Sequence, residues 1–305
     1  MIQAGVQIII LARDRPDFLR DALRSICTQD TRDFSVCISD NSETDAVEAM
    51  VGAEFPQFTY VRRRPALPAL EHFRRVMEES SAEHVVFFHD DDVMCPTFVR
   101  TLSAALEADP GVAAVAGNAA ILKNSCVTAV TTMGGVSAVR DIAGAEALAR
   151  AYLEHQSSGV AAFPGYMYRR ATLAGLCLDP DHGGKYADVS FLMKLAERGR
   201  LRWLPQVLMH YRIHGGNDSG RESIPQVRKL LHYVCSTTSI RRDSAIVREY
   251  RYRYWLRWWR VRRTAMNRNS PWRERVVQRY LVLGGLRFAL TRPDICLRYM
   301  NRRGR

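Results

Sequence analysis

The chain has 305 residues, 47% of them hydrophobic and 25% charged, with a formal net charge of +12. This is the composition of a globular protein with room for a sizeable core, and it excludes a disordered, collagenous or disulfide-stapled chain. The charge is lopsided: residues 221–305 hold 22 Lys+Arg against 5 Asp+Glu, or +17, which leaves 22 against 27, or −5, for residues 1–220. Seven scattered cysteines, odd in number and never in a CxxC pair, imply reduced thiols in a cytoplasmic compartment and no structural zinc. The first residues lack a basic n-region and their apolar run is too short for a signal peptide. No run approaches the ~18–20 apolar residues of a spanning helix, so any membrane contact is expected to be peripheral.

In chain order, Val6 to Leu11 is a β-branched run that ends in the polar loop Ala12 to Pro16. Pro16 suits a first helical turn, and Leu19, Ala22, Leu23, Ile26 and Cys27 then recur on one helical face. Phe34 to Ser39 reads as a second strand, ending in Asp40-Asn41-Ser42 ahead of a helix from Asp45 to Val51. A short strand at Phe58 to Val61 and a helix from Leu70 to Glu79 follow. Val85 to Phe88 is then a fourth strand, fully apolar as a strand buried on both faces should be. It runs through His89 straight into three carboxylates, Asp90, Asp91 and Asp92. A helix from Thr97 to Glu107 and a strand from Val112 to Ala116 complete an alternation that predicts an α/β domain, a parallel sheet with helices on both faces.

Beyond residue 116 the alternation breaks. Residues 117–140 read as a hairpin or loop excursion, Ala145 to Leu153 as a helix, Phe163 to Tyr168 as extended and Arg170 to Leu176 as a short helix. A glycine-containing loop leads to a helix that begins at Ala187-Asp188 and runs to Arg198. Two short strands, Leu201 to Leu204 and Val207 to Tyr211, precede Arg212-Ile213-His214. From Ile224 onward the pattern is helical, with prolines at 271 and 293 marking boundaries. An appendage boundary is placed near residue 220.

Polar clusters therefore follow the predicted strands: Arg13, Asp14 and Arg15; Asp40 and Asn41; the Asp triplet; and, at a helix start, Asp188, joined by His214. In open α/β sheets ligands bind at the carboxyl ends of the strands. Three adjacent carboxylates repel, so they imply either a solvated turn or a hard divalent cation such as Mg²⁺ or Mn²⁺ that also holds a phosphate-bearing substrate. Asp40 and Asp188 are equally readable as helix caps, and His214 as a satisfied loop histidine.

In order, the segments "VQIIILARDRPDFLRDALRSI", "FSVCISDNS", "HVVFFHDDDVMCP", "GGKYADVSFLMKLAERGRLRWLP" and "YRIHGGNDS" resemble the family 2 glycosyltransferases over about residues 5–219. The resemblance implies a GT-A fold, Rossmann-like with a mostly parallel central sheet, for residues 1–220. It implies metal-dependent, inverting transfer of a sugar from a nucleotide diphosphate sugar to a saccharide or lipid-linked saccharide, as in bacterial-type surface polysaccharide or glycan synthesis. By position it implies that Asp14, Arg15, Asp40, Asn41, Asp90 and Asp91 bind the nucleotide sugar and that Asp40 meets the base. Asp90 to Asp92 match the DXD-type motif, with Asp91, Asp92 and His214 reaching Mn²⁺ or Mg²⁺, and Asp188 matches the catalytic base. The chain departs from the family at Asp14, where Asn is usual, and at Pro65-Ala66-Leu67, where Gly and Asn are expected; His72 stands near the place of an Asn. Arg62, Arg63 and Arg64 read either as diphosphate contacts or as a solvated basic run.

Residues 221–305 form a helical region in which Arg251 to Arg263 interleaves arginine with aromatics. As a helix this stretch aligns Tyr252, Trp255, Leu256 and Trp259 on one side. Docking to an anionic membrane surface on the inner face of the cell membrane, packing on the catalytic domain and self-association all stay open. Single-stranded nucleic acid is the least favoured partner, because no recognised binding motif accompanies the charge. Two rival activities use the same features: a nucleotidyltransferase, and a nucleic-acid-binding protein with an inactive nucleotide-binding domain.

Overall fold

The computed structural model describes residues 5–134, 136–154, 159–215 and 223–254, together with 286 and 290. Three β-branched runs form its centre. β1 (Val6–Ala12) pairs in parallel with β2 (Phe34–Asp40) on one side and β4 (His84–His89) on the other, and β3 (Thr59–Arg62) extends the sheet beyond β2. The register aligns Ala12 with Asp40 and Leu11 with His89, so the polar residues after the three strands emerge at one edge. Two-residue periodicity then sorts the core. Ile8 and Ile10 face α1 (Pro16–Cys27), α2 (Ala46–Glu54) and α4 (Phe98–Glu107), whereas Ile9, Val85 and Phe87 face α3 (Ala69–Glu79) and the helices that follow later in the chain.

The ten-stranded sheet continues past β4 with a reversal. Its order is β3-β2-β1-β4-β9-β6-β10-β5, where β9 (Tyr166–Arg169) runs antiparallel to both neighbours and β6 (Val112–Lys123) and β10 (Arg200–Ile213) are again parallel. β5 (Val93–Met94) pairs with the far half of β10 and β8 (Arg140–Ile142) with its first half, while β7 (Cys126–Thr131) forms a hairpin with β6. The expected mostly parallel α/β sheet is present.

Two local expectations are corrected. β6 runs seven residues beyond Ala116, and the two short strands expected at 201–211 are one strand, β10. Pro205, which has no N–H to donate, suggested a break; β10 instead carries register shifts between Leu204 and Val207 and between Val207 and Met209, as bulges do. β6 accommodates the bulge at Gly117, where an added Cβ would lie 2.6 Å from Leu208 Cγ. The helix expected at 170–176 is only a 3₁₀ turn, Arg170–Leu173.

Described residues on both sides of the boundary expected near residue 220 share one hydrophobic cluster. α7 (Ile224–Thr237) buries Val227, Leu230, Leu231 and Val234, and the helical residues 245–254 bury Val247, Tyr250 and Tyr254. All seven belong to the cluster that holds α5 (Gly144–Leu153), α6 (Ala187–Ala196), Tyr166 and Trp203. The Arg253 guanidinium donates to the carbonyl of Leu153. Trp255, Leu256 and Trp259 lie outside the described residues, as do the prolines at 271 and 293. Among the described residues no helix is long and apolar enough to cross a membrane.

Truncating one buried large aliphatic or aromatic side chain costs ~2–5 kcal/mol, and a whole domain has only ~5–15 kcal/mol to lose. A chain ended at Gly220 forfeits all seven side chains at once. It is expected to lose cooperative thermal unfolding, whereas one ended at Tyr254 retains it; circular dichroism melts of the two truncated chains check this, and a cooperative transition in the shorter chain would contradict it.

Candidate active site

The site is assembled from loops at the carboxyl edge of the sheet. After β1 the chain turns through Arg13, Asp14 and Arg15, with Asp14 at φ +52°, a left-handed conformation that Asp tolerates better than most residues. Two neighbouring loops hold that turn: Arg13 N–H donates to Asp90 Oδ2 at 2.8 Å and Asp14 N–H to Ser42 Oγ at 2.7 Å. Asp14 Oδ1 in return accepts from the main-chain N–H groups of Glu43 and Thr44.

Asp90, Asp91 and Asp92 all lie buried between β4 and β5. Each has a different neighbourhood. Burial pushes the Asp90 carboxyl up to about 7, against the opposing pull of Arg15 and of the Arg13 N–H. Burial also disfavours ionised Asp91, but His89, the hydrogen bond from His214 and Arg15 outweigh it and hold Asp91 below the usual carboxylate range. Arg15 Nη1 lies 2.7 Å from Asp91 Oδ2 and 3.4 Å from Asp90 Oδ1, and His214 Nε2 lies 2.9 Å from Asp91 Oδ2. Burial and the two adjacent carboxylates raise Asp92 well above its ordinary value. Asp92 Oδ1 accepts from Arg212 N–H at 2.9 Å, while its buried Oδ2 has no hydrogen-bond partner among the described residues.

That orphaned oxygen is the test of whether a cation fits. Ligand atoms of His89, Asp91 and Asp92 converge within 4.8 Å of one another. Two carboxylates and an imidazole suit a divalent ion of the Mn²⁺ or Mg²⁺ kind. Burial lowers the pKa of His89, which favours the neutral imidazole that ligation needs. His89 joins the expected Asp91 and Asp92 in this convergent set, and His214, the other expected ligand, stands beside it with Nε2 2.9 Å from Asp91 Oδ2. His89 was legible only as the polar end of an apolar strand.

Asp40 and Asn41 also stand at this edge, each held by hydrogen bonds within the protein. Asp40 is completely buried, and its carboxylate accepts from Ser42 N–H at 2.9 Å, Ser42 Oγ, Tyr60 Oη at 2.5 Å and Arg62 Nη1 at 2.7 Å. Asn41 exchanges two hydrogen bonds with the main chain of Leu67, pinning the loop that holds Pro65 and Ala66. Arg63 donates to Ser39 Oγ at 3.0 Å, and Ser39 Oγ and His72 Nε2 share a hydrogen bond of 2.7 Å. Burial holds His72 neutral, with its pKa lowered to about 4. The basic run is ion-paired: Arg62 with Asp40, Arg63 with Glu79 and Arg64 with Asp45.

Asp188 occupies the first turn of α6. It keeps partial solvent access, and burial pushes its carboxyl up to about 6 against the main-chain N–H of Val189 and the charge of Lys185. Phe163 links it to the acidic turn, its ring centroid 6.4 Å from His89 and 6.0 Å from Phe191, one turn beyond Asp188.

Residues 7–127 match the family model of "Glycosyl transferase family 2". A search of curated protein sequences finds no match. Among solved structures, S. aureus TarS superposes with a TM-score of 0.58 at 13% identity, covering 84% of this chain and 43% of its own, so this chain spans less than half of that length. S. aureus TarS 1–349 in complex with UDP-GlcNAc superposes with a TM-score of 0.61 at 12% identity, over 89% of this chain and 77% of its own. The complex of TarS 1–349 with UDP gives 0.60 at 12% identity. These likenesses show a GT-A-like mixed α/β fold with a central, mostly parallel sheet.

The raised pKa of Asp188 has a stability consequence. Because the folded state favours the protonated acid, the associated stabilisation is complete below the ordinary value of 3.8 and is lost as pH rises through about 6. Asp188→Asn is therefore expected to melt at a higher temperature than wild type at pH 8, with the gain shrinking as pH falls through 6. Scanning calorimetry at the two ends of this range checks it; a variant that melts lower at pH 8 would contradict it.

Proposed function

We propose that the chain, whose residues 7–127 match the model of glycosyl transferase family 2, is an inverting transferase that moves a sugar from a nucleotide diphosphate sugar to an acceptor hydroxyl. The observation that supports this most is the buried acidic turn, with one carboxylate oxygen of Asp92 unpartnered among the described residues beside His89 and Asp91. We assign the divalent ion to His89, Asp91 and Asp92, with His214 orienting Asp91 through its hydrogen bond. When bound, such an ion neutralises charge developing on a diphosphate leaving group.

The chain's own residues supply the rest. Arg13 and Arg15, both partly exposed at the rim, face the diphosphate, and Asp90 holds their loop in place. Asp40 and Asn41 frame the base pocket from below by fixing Ser42, Arg62 and Leu67. Uridine diphosphate sugars are the first donors to test, because TarS 1–349, which shares the fold, was solved with UDP and with UDP-GlcNAc. Asp188 takes the proton of the acceptor hydroxyl as its oxygen bonds to the anomeric carbon and the bond from that carbon to the diphosphate breaks. With a pKa of about 6 it is ionised at neutral pH yet basic enough to accept that proton.

The basic C-terminal region gives the acceptor a setting. Each Lys or Arg near an anionic surface contributes ~1 kcal/mol, so a few of the 22 in residues 221–305 suffice for reversible attachment to the inner face of a membrane that carries a lipid-linked saccharide. Liposome co-sedimentation of the full chain is expected to require anionic lipid and to fall with salt; pelleting indifferent to both would count against it and favour internal packing.

Transfer and nucleotidyl transfer part at the products. Incubation with donor and acceptor is expected to release nucleoside diphosphate and no pyrophosphate, and NMR of the product is expected to show an inverted anomeric centre; pyrophosphate would favour the nucleotidyltransferase. Asp188→Asn is expected to bind donor with near wild-type affinity but to lose at least ~10²-fold in turnover. Wild-type turnover should fall about tenfold per pH unit below about 6.

A further inference from the structure

Arg212, two residues before His214, makes more contacts with the acidic turn than any role in donor binding requires. It is 7% exposed. Its main-chain N–H donates to Asp92 Oδ1 at 2.9 Å, and its Nε donates to the carbonyl of Asp91 at 2.7 Å, so one residue grips both the side chain and the peptide of the turn. The guanidinium is braced from the opposite side by α1: Nη2 donates to Asp21 Oδ2 at 2.9 Å, and its carbon lies 4.8 Å from the centroid of the Phe18 ring. Phe18 in turn packs against His214 with ring centroids 4.8 Å apart. Asp21 is half-exposed on α1 and pairs with Arg212.

We propose that Arg212 is a positioning residue, which fixes the Asp91–Asp92 peptide and the Asp92 carboxylate so that Oδ2 is presented to a divalent cation. This rests on the assignment of that cation to His89, Asp91 and Asp92. Three features carry it. The Arg212 N–H uses the other Asp92 oxygen, which sets the direction of the free one. The guanidinium spans β10, the turn and α1 with its planar fork, a geometry that the point charge of lysine cannot reproduce. The bracing carboxylate, Asp21, faces solvent and serves the site only through Arg212.

The sign of the effect separates positioning from electrostatics. A buried guanidinium repels a cation, so if charge alone mattered, Arg212→Gln would tighten metal binding. Loss of a group that orients a ligand instead weakens it, by roughly 10- to 100-fold in metal sites generally. The test is Mn²⁺ binding to the full chain without nucleotide, followed by the EPR signal of the free ion, for wild type, Arg212→Lys, Arg212→Gln, Asp21→Asn and Asp92→Asn, with metal-free melting temperatures to confirm that each variant is folded.

Arg212→Gln and Arg212→Lys are each expected to weaken Mn²⁺ binding at least ~10-fold, and Asp21→Asn to weaken it by a smaller factor. Should the arginine variants fail to fold, Asp21→Asn decides alone. Wild-type or tighter binding in Arg212→Lys and Asp21→Asn, with binding abolished in Asp92→Asn, overturns the positioning role while the metal assignment stands. Wild-type Mn²⁺ affinity in Asp92→Asn overturns the assignment and the positioning role together.

Discussion

Three consecutive carboxylates buried at the end of a fully apolar strand are the constraint around which this edge of the molecule is built. A buried charge costs several kcal/mol unless it is paired or neutralised, and three in sequence repel one another as well. The fold spends a different device on each. Asp90 is drawn toward its neutral form and held by a main-chain N–H, Asp91 is kept ionised by Arg15 and His214, and Asp92 is bonded through one oxygen to β10. These devices come from α1 and its preceding loop and from β10, so the same contacts that make the turn tolerable also close the sheet edge around it.

Much of this was legible in the sequence. β-branched runs ending in polar residues located β1, β2 and β4, and their parallel register brings Arg13 to Asp90 and Asp14 to Ser42 across loops far apart in the chain. The Asp triplet announced itself by charge. Other features had no local signal. Arg212 belongs to the site only because β10 runs unbroken past Pro205, and proline argued for a break. His89 belongs to it because a strand's last side chain points into the cleft, which periodicity alone does not reveal. Asp40 reads in sequence as a helix cap or a nucleotide contact, and nothing local shows that Tyr60 and Arg62 reach its carboxylate from β3.

The C-terminal region shows a similar limit. The change of charge near residue 220 suggested an appendage, because composition reports the solvent-facing side chains and says nothing of the apolar face between them. Val227, Leu230, Val234, Tyr250 and Tyr254 complete the core against α5 and α6, and thereby support the helix that presents Asp188. The described C-terminal helices and the helix that carries Asp188 are thus parts of one packed body among the described residues.

The central claim is that His89, Asp91 and Asp92 form a cation site at the carboxyl edge of the sheet. Diffraction from crystals grown with Mn²⁺ and a nucleoside diphosphate, collected at the manganese edge, tests it most directly. The account predicts an anomalous peak bounded by Asp92 Oδ2, Asp91 and His89, lost in Asp92→Asn. A nucleoside diphosphate bound at this edge with no anomalous peak, or a peak elsewhere in the molecule, would contradict it.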